Sequence, residues 1–241
     1  MVSVETEILK FCTEKQSLLE DRSIYPYLLK EEKLSFMKKN LKFDFDSIWD
    51  REVKNLPSSI AFCPGIINLM KMAVVIPAWC DFLIKVTPEG EFEWRTPDST
   101  FEIHSHGQRG EGQFNGFKKE YVNLKFINPW MFFGNPQEQA QPFFFMQPWL
   151  HEEERWEVAQ GVQTPWYGME PNINVLIKIP KNETSKIFIK KGEPLCYILP
   201  FQKLWSKVEV HDHQQYHNFN RLSFSNWKRF LVRGKKCEYA K

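Results

Sequence analysis

Residues 81–96 read DFLIKVTPEGEFEWRT. Phe82, Ile84 and Val86 alternate with less apolar positions, and Phe92 and Trp94 alternate on the far side of Pro-Glu-Gly. A period of two is the mark of a strand with one buried face, and the Pro/Gly interruption supplies the reversal, so the stretch predicts a β-hairpin. The same texture continues outward. YVNLKFINPW (121–130), FFFMQPWL (143–150), NINVLIKI (172–179) and SKIFIKKGEPLCYILPF (185–201) are short apolar runs separated by Pro, Gly and Asn. Short strands between such turns predict a mainly β sandwich or barrel-like unit over residues 59–205.

The flanks read differently. VETEILKFCTEKQSLLE (4–20) places Ile8, Leu9, Phe11, Cys12, Leu18 and Leu19 near helical spacing, and DFDSIWDREVKNL (44–56) offers Asp46 or Ser47 as a helix cap before Pro57. An N-terminal helical layer over residues 1–58 is therefore expected. Residues 206–241 form a polar, then basic and aromatic tail, in which Leu222, Phe224, Trp227, Phe230 and Leu231 are expected to dock on the core.

Composition narrows the class. Hydrophobic residues make up 42% and charged residues 26% of 241, an ordinary globular balance, and aromatic content of 15% with 21 Phe predicts a ring-packed core. A net charge of +2 gives no ground for expecting a nucleic-acid partner. Five scattered cysteines without a Cys-x-x-Cys pair suggest neither a disulfide framework nor a zinc ribbon. No signal peptide or membrane-length apolar run is seen, Pro77 breaking MAVVIPAW (72–79), so a reducing, cytoplasm-like compartment is expected.

The order FFFMQPWL, GVQTPWYG (161–168) with NINVLIKI, then IKKGEPLCYILP resembles the dUTPase-like family, trimeric β-rich nucleotide pyrophosphatases with a jelly-roll or β-clip fold. Gly161, Val162 and Tyr167 match that family's hairpin motif, and Gly192, Leu195 and Cys196 its last motif, over residues 142–201. The resemblance implies a jelly-roll scaffold and a homo-oligomer. Its chemistry departs: Thr164 stands at the position of the catalytic Asp, and Pro148, Trp149 and Leu150 where Pro-Arg-Ser would be. Threonine is no general base near neutrality and indole carries no charge for a phosphate. A residual hydrolase would need another acid, such as Glu170 or Glu193. SHGQ (105–108) and KKGEPLCYILPF (190–201) are also similar to an uncharacterised family of bacteria and phages, which implies a phage source and a host-cytoplasmic setting.

Two sites are expected on this reading. The first is an aromatic-walled hairpin site for a small molecule or a protein partner, formed by Trp149, Trp166 and Tyr167 with Gln163 and Thr164. Trp130 joins these rings as one placed to reach solvent or ligand. The second is a metal site for a transition metal such as iron, formed by His104, His106 and Glu111 in EIHSHGQRGE (102–111). A two-His, one-carboxylate set would suit a mononuclear Fe(II) oxygenase, the rival enzyme reading. HDHQQYH (211–217) reads as a solvated loop, and HEEERWE (151–157) as a solvated acidic turn lacking a second metalloprotease His. Cys196 reads as an inert core thiol.

Overall fold

The computed structural model describes residues 6–29, 64–105, 120–134, 139–148, 155–164 and 166–213, and the chain is mainly β. In chain order the strands are β1 (Thr6–Thr13), β2 (Tyr27–Leu28), β3 (Val74–Pro77), β4 (Phe82–Val86), β5 (Phe92–Arg95), β6 (Ile103–Ser105), β7 (Tyr121–Phe126) and β8 (Met131–Phe132). Then follow β9 (Phe143–Met146), β10 (Glu157–Val158), β11 (Gly161–Gln163), β12 (Ile173–Lys178), β13 (Ser185–Ile189), β14 (Pro194–Pro200) and β15 (Leu204–Asp212). They form four sheets among the described residues: β15-β1-β8, β10-β12-β7-β6, β11-β9-β14-β3-β2 and β13-β4-β5.

Alternation does what the sequence predicted. Phe82, Ile84 and Val86 of β4 are buried, as are Val122, Leu124 and Phe126 of β7, and the β4–β5 hairpin pairs Val86 with Phe92. Gly90 closes that hairpin at φ 82°, a conformation that favours glycine. All four sheets send side chains into one core. Its centre is aromatic: Phe82 and Phe126 meet edge-on with centroids 5.0 Å apart, and Trp79 packs edge-on against Phe82 at 5.5 Å. Each fully buried ring or aliphatic side chain contributes about 1.5–3 kcal/mol relative to exposure. Trp130 is completely buried, so its ring belongs to this core and not to a solvent-facing site.

The N-terminus departs from the expected helical layer. Residues 6–13 are strand β1, and the helix that follows, α1 (Gln16–Glu20), is little more than one turn. The cause is a partner far along the chain. β1 pairs in parallel with β15, from Thr6 opposite Leu204 to Thr13 opposite Asp212. Ser206 is the extra residue of a bulge in that ladder, and its hydroxyl donates to the Glu7 carbonyl oxygen at 3.1 Å. A second helix, α2 (Pro64–Met72), precedes β3, with proline at its first position, where a missing N–H costs nothing. The expected helix over 44–56 and the aromatic residues of the tail, 222–231, lie outside the described residues.

The segment 161–180 is not a hairpin. Its strands β11 and β12 belong to different sheets: Gly161–Gln163 pairs with Phe143–Phe145 of β9, whereas Ile173–Lys178 pairs with Tyr121–Phe126 of β7. The crossing between sheets occurs just before it. Glu157 and Val158 of β10 pair with Leu176 and Val175, the Ala159 N–H donates to the Asn174 carbonyl at 2.8 Å, and two residues later the chain is in the other sheet.

Candidate functional site

After β11 leaves the sheet, the chain makes a tight turn, Trp166–Met169. The Met169 N–H donates to the Trp166 carbonyl at 3.2 Å, and Gly168 holds φ 87°, the left-handed value such a turn demands. The turn is tied from behind to β8. The Gly168 N–H donates to the Phe132 carbonyl at 2.6 Å, and the Phe132 N–H donates to the Met169 carbonyl at 3.1 Å. Trp166 also forms an isolated antiparallel bridge with Gln139.

Just beyond the turn a buried amide fixes the return path. Asn128 is fully buried, and both side-chain polar atoms have partners: its Nδ2 donates to the Pro171 carbonyl at 3.2 Å, its Oδ1 accepts from the Trp130 N–H at 3.0 Å, and its own backbone N–H donates to Asn172 Oδ1 at 3.0 Å. A buried polar group with hydrogen-bond partners on both its oxygen and its nitrogen favours one loop conformation instead of destabilising the fold.

Three apolar side chains stand out from this anchored segment: Val162 is 61% exposed, Trp166 40% and Met169 42%. Tyr167 does the opposite. Its ring packs onto the core and lies directly over Gly134. Gln163 sits opposite Phe143 in register, on the core side of β11, while Val162 sits opposite Phe144 on the other side; Thr164 is exposed. Of the five residues expected to share the aromatic site, Trp166 and Thr164 therefore reach solvent on one stretch, Tyr167 acts as its footing, and Trp149 lies outside the described residues. Sequence reasoning missed Val162 and Met169. An isolated apolar residue reads as core until its strand partner is known.

Of the expected metal set, His104 alone falls within the described residues. It sits on the edge strand β6 opposite Lys125, with its Nε2 2.8 Å from Glu102 Oε2, both side chains more than half exposed. Among the described residues no group of three or more His, Cys, Asp and Glu side chains is placed to hold a metal ion.

The other polar motifs are built into the fold. His211 is in β15 and stacks on Phe133 with centroids 4.8 Å apart; His213 is buried, its Nδ1 3.3 Å from Glu14 Oε1. That part of HDHQQYH is thus packed structure and not a solvated loop, because β15 extends through it alongside β1. Arg155 likewise leaves the expected acidic turn. Its guanidinium lies 4.7 Å over the Trp156 ring, donates to the Phe188 carbonyl and pairs with Glu193 at 2.7 Å. Glu193 is therefore engaged as a structural anion. Cys196 is wholly buried, and desolvation pushes its thiol far above the ordinary value, as expected of an inert core thiol.

The fold and this surface define a mainly β protein with three exposed apolar side chains on one hydrogen-bonded segment among the described residues. No family model matches the chain, and no curated protein or solved structure matches it either. No helix of the described residues is long and apolar enough to cross a membrane.

Proposed function

We propose that this chain is a binding protein, on a dUTPase-like, phage-borne scaffold without that family's catalytic acids, and that it engages a protein partner through Val162, Trp166 and Met169. The observation that carries the reading is the exposure of these three apolar side chains on one short segment whose backbone is hydrogen-bonded to β8. Water-exposed apolar side chains on a rigid element resemble binding anchors, because little conformational entropy is lost when they are covered. Trp and Met are favoured anchors, Trp for its area and Met for its adaptability. A turn with exposed apolar side chains suits a protein surface better than an enclosed small molecule. A second copy of the chain is the first partner to test, in line with the expected homo-oligomer.

The test is sedimentation velocity across a concentration series, with bis-ANS fluorescence as an independent probe, on the wild type and on Val162→Ser/Trp166→Ser. Self-association or saturable dye binding that falls at least several-fold in the double variant supports the reading. Equal behaviour of the two proteins by both measures overturns it.

A further inference from the structure

A different surface combines clustered cations with an exposed ring. The sheet β13-β4-β5 buries Ile84 and Ile187 on its inner side. Its outer side consists of two cross-strand rows, Lys186–Lys85–Glu93 and Phe188–Leu83–Arg95. Phe188 is 49% exposed, and Lys186, Arg95 and Glu93 are exposed with it. Lys190, also exposed, continues from the end of β13.

This face breaks a local rule of sheet construction. Lys85 and Lys186 are directly opposite one another, and like charges in that position destabilise a strand pair. The compensating contact among the described residues, Lys85 Nζ to Glu93 Oε2, is long at 3.8 Å. Lys186, Lys190 and Arg95 have no ion-pair partner among the described residues. An exposed aromatic ring sits beside the repelling pair, where a polar residue would be more soluble. Local conflicts of this kind mark functional positions when a ligand resolves them. A ligand suited to this face would carry repeated negative charge to relieve the lysines, together with flat apolar faces to cover the ring.

We infer that the outer face of β13-β4-β5 binds single-stranded nucleic acid, with Phe188 as the platform for a base and Lys85, Lys186 and Arg95 as the phosphate contacts. An open sheet face presenting an aromatic ring among cations is a general solution for a single strand, since bases stack on rings without regard to sequence and phosphates follow the charges. Residues two apart on a strand are about 6.6 Å apart, so Lys186 and Phe188 can serve neighbouring phosphate and base groups. The near-neutral charge of the whole chain does not describe this face, because its only opposing carboxylate in the two rows is Glu93.

The experiment is fluorescence anisotropy of labelled oligothymidylate, about twelve nucleotides long so that it exceeds a typical single-strand site. The wild type, Phe188→Ala, Lys186→Glu and the distant control Lys207→Gln would be compared over a range of salt. The expected result is saturable binding that weakens with salt, falls about five-fold or more in Phe188→Ala, and falls in Lys186→Glu while Lys207→Gln is unchanged. Lys186→Glu should also raise the melting temperature, because it turns a repelling pair into an attracting one; a structural change alone would not stabilise the fold and weaken binding together. The inference is overturned by absence of saturable binding at low salt, by equal binding of Phe188→Ala and wild type, or by a preference for duplex. Binding to phosphatidylserine vesicles without binding to the oligonucleotide overturns it equally.

Discussion

The ring of Tyr167 lies so close over Gly134 that a Cβ added at Gly134 would sit 2.6 Å from Tyr167 Cδ1. Glycine is required at 134 by this approach and not by its backbone angle. Three ring atoms within 2.7 Å leave no room for a methyl group unless the ring moves. Gly134→Ala should destabilise the fold by about 1–3 kcal/mol, the usual range for overpacking. Combining it with Tyr167→Leu should recover part of that loss. Urea denaturation of the two variants checks both statements. Gly161 is a useful contrast: a Cβ added there would meet nothing within 4 Å, so Gly161→Ala should change stability by less than about 1 kcal/mol.

Glu7 ties together segments that lie far apart in sequence. Its Oε1 accepts from the Trp205 indole at 3.2 Å and from the Gln141 amide. Gln141 in turn donates to the Lys203 carbonyl at 3.0 Å, and its Oε1 accepts from the Lys203 N–H at 3.0 Å. One carboxylate therefore links β1, the approach to β9 and the start of β15. Glu7→Ala should cost about 1.5–3 kcal/mol, the range for hydrogen bonds to a charged group. Glu7→Gln, which keeps an acceptor oxygen, should cost less. Chemical denaturation ranks the two.

These cases show where local sequence was sufficient. The strands 82–86, 121–126 and 185–189 were legible because their burial alternates or nearly alternates within one window. β1 was not. Ile8, Leu9, Phe11 and Cys12 fit a helical spacing, and the ladder that makes them a strand runs to residues 204–212. Pairing at that separation leaves no local mark. The same reason explains the segment 161–180: a glycine turn followed by a strand looks like a hairpin, yet its two strands pair with β9 and β7. At the candidate site the exposure of Trp166 follows from its place at a turn. The inward course of Tyr167 was not legible, because it depends on Gly134, far along the chain. Phe188 lay hidden for a related reason: Ile187, Phe188 and Ile189 form one apolar run, and only the register opposite Leu83 shows which face Phe188 takes.

The three described cysteines, Cys12, Cys80 and Cys196, are all free and buried. Burial, reinforced at Cys12 by Glu14 and Asp212 and at Cys80 by Asp81 and Asp98, pushes the first two thiols up to about 12. The thiolate is the reactive species, so almost none is present at neutral pH. In a Cys63→Ser/Cys237→Ser background, the native protein should react with a thiol-specific disulfide reagent only as fast as it unfolds. Addition of denaturant should then release three thiols. Rapid labelling of any of the three in the native state would contradict this burial.

The Lys190–Glu193 turn gives a pH prediction with a definite sign. The Glu193 N–H donates to the Lys190 carbonyl at 3.0 Å, and Gly192 takes φ 87°. Lys191 reaches from this turn to Asp21, Nζ to Oδ2 at 2.8 Å, while Asp21 Oδ1 accepts from the Ser23 N–H at 3.0 Å. The hydrogen bond from Lys191 and then those from Ser23 lower the Asp21 carboxyl from 3.8 to about 2. A carboxyl with a depressed folded value contributes stability that is fully present above its unfolded value. That contribution is lost as the pH falls through the folded value. The difference in melting temperature between wild type and Asp21→Asn should therefore be constant above about pH 5, shrink from about pH 4 downward, and approach its limit near about pH 2. The pair is exposed, so the plateau difference should be small and should narrow further in high salt. Calorimetric scans of both proteins across that pH range, repeated with Lys191→Met, measure it. A difference that grows as the pH falls would mean that the carboxylate destabilises the fold, contrary to the geometry of the turn.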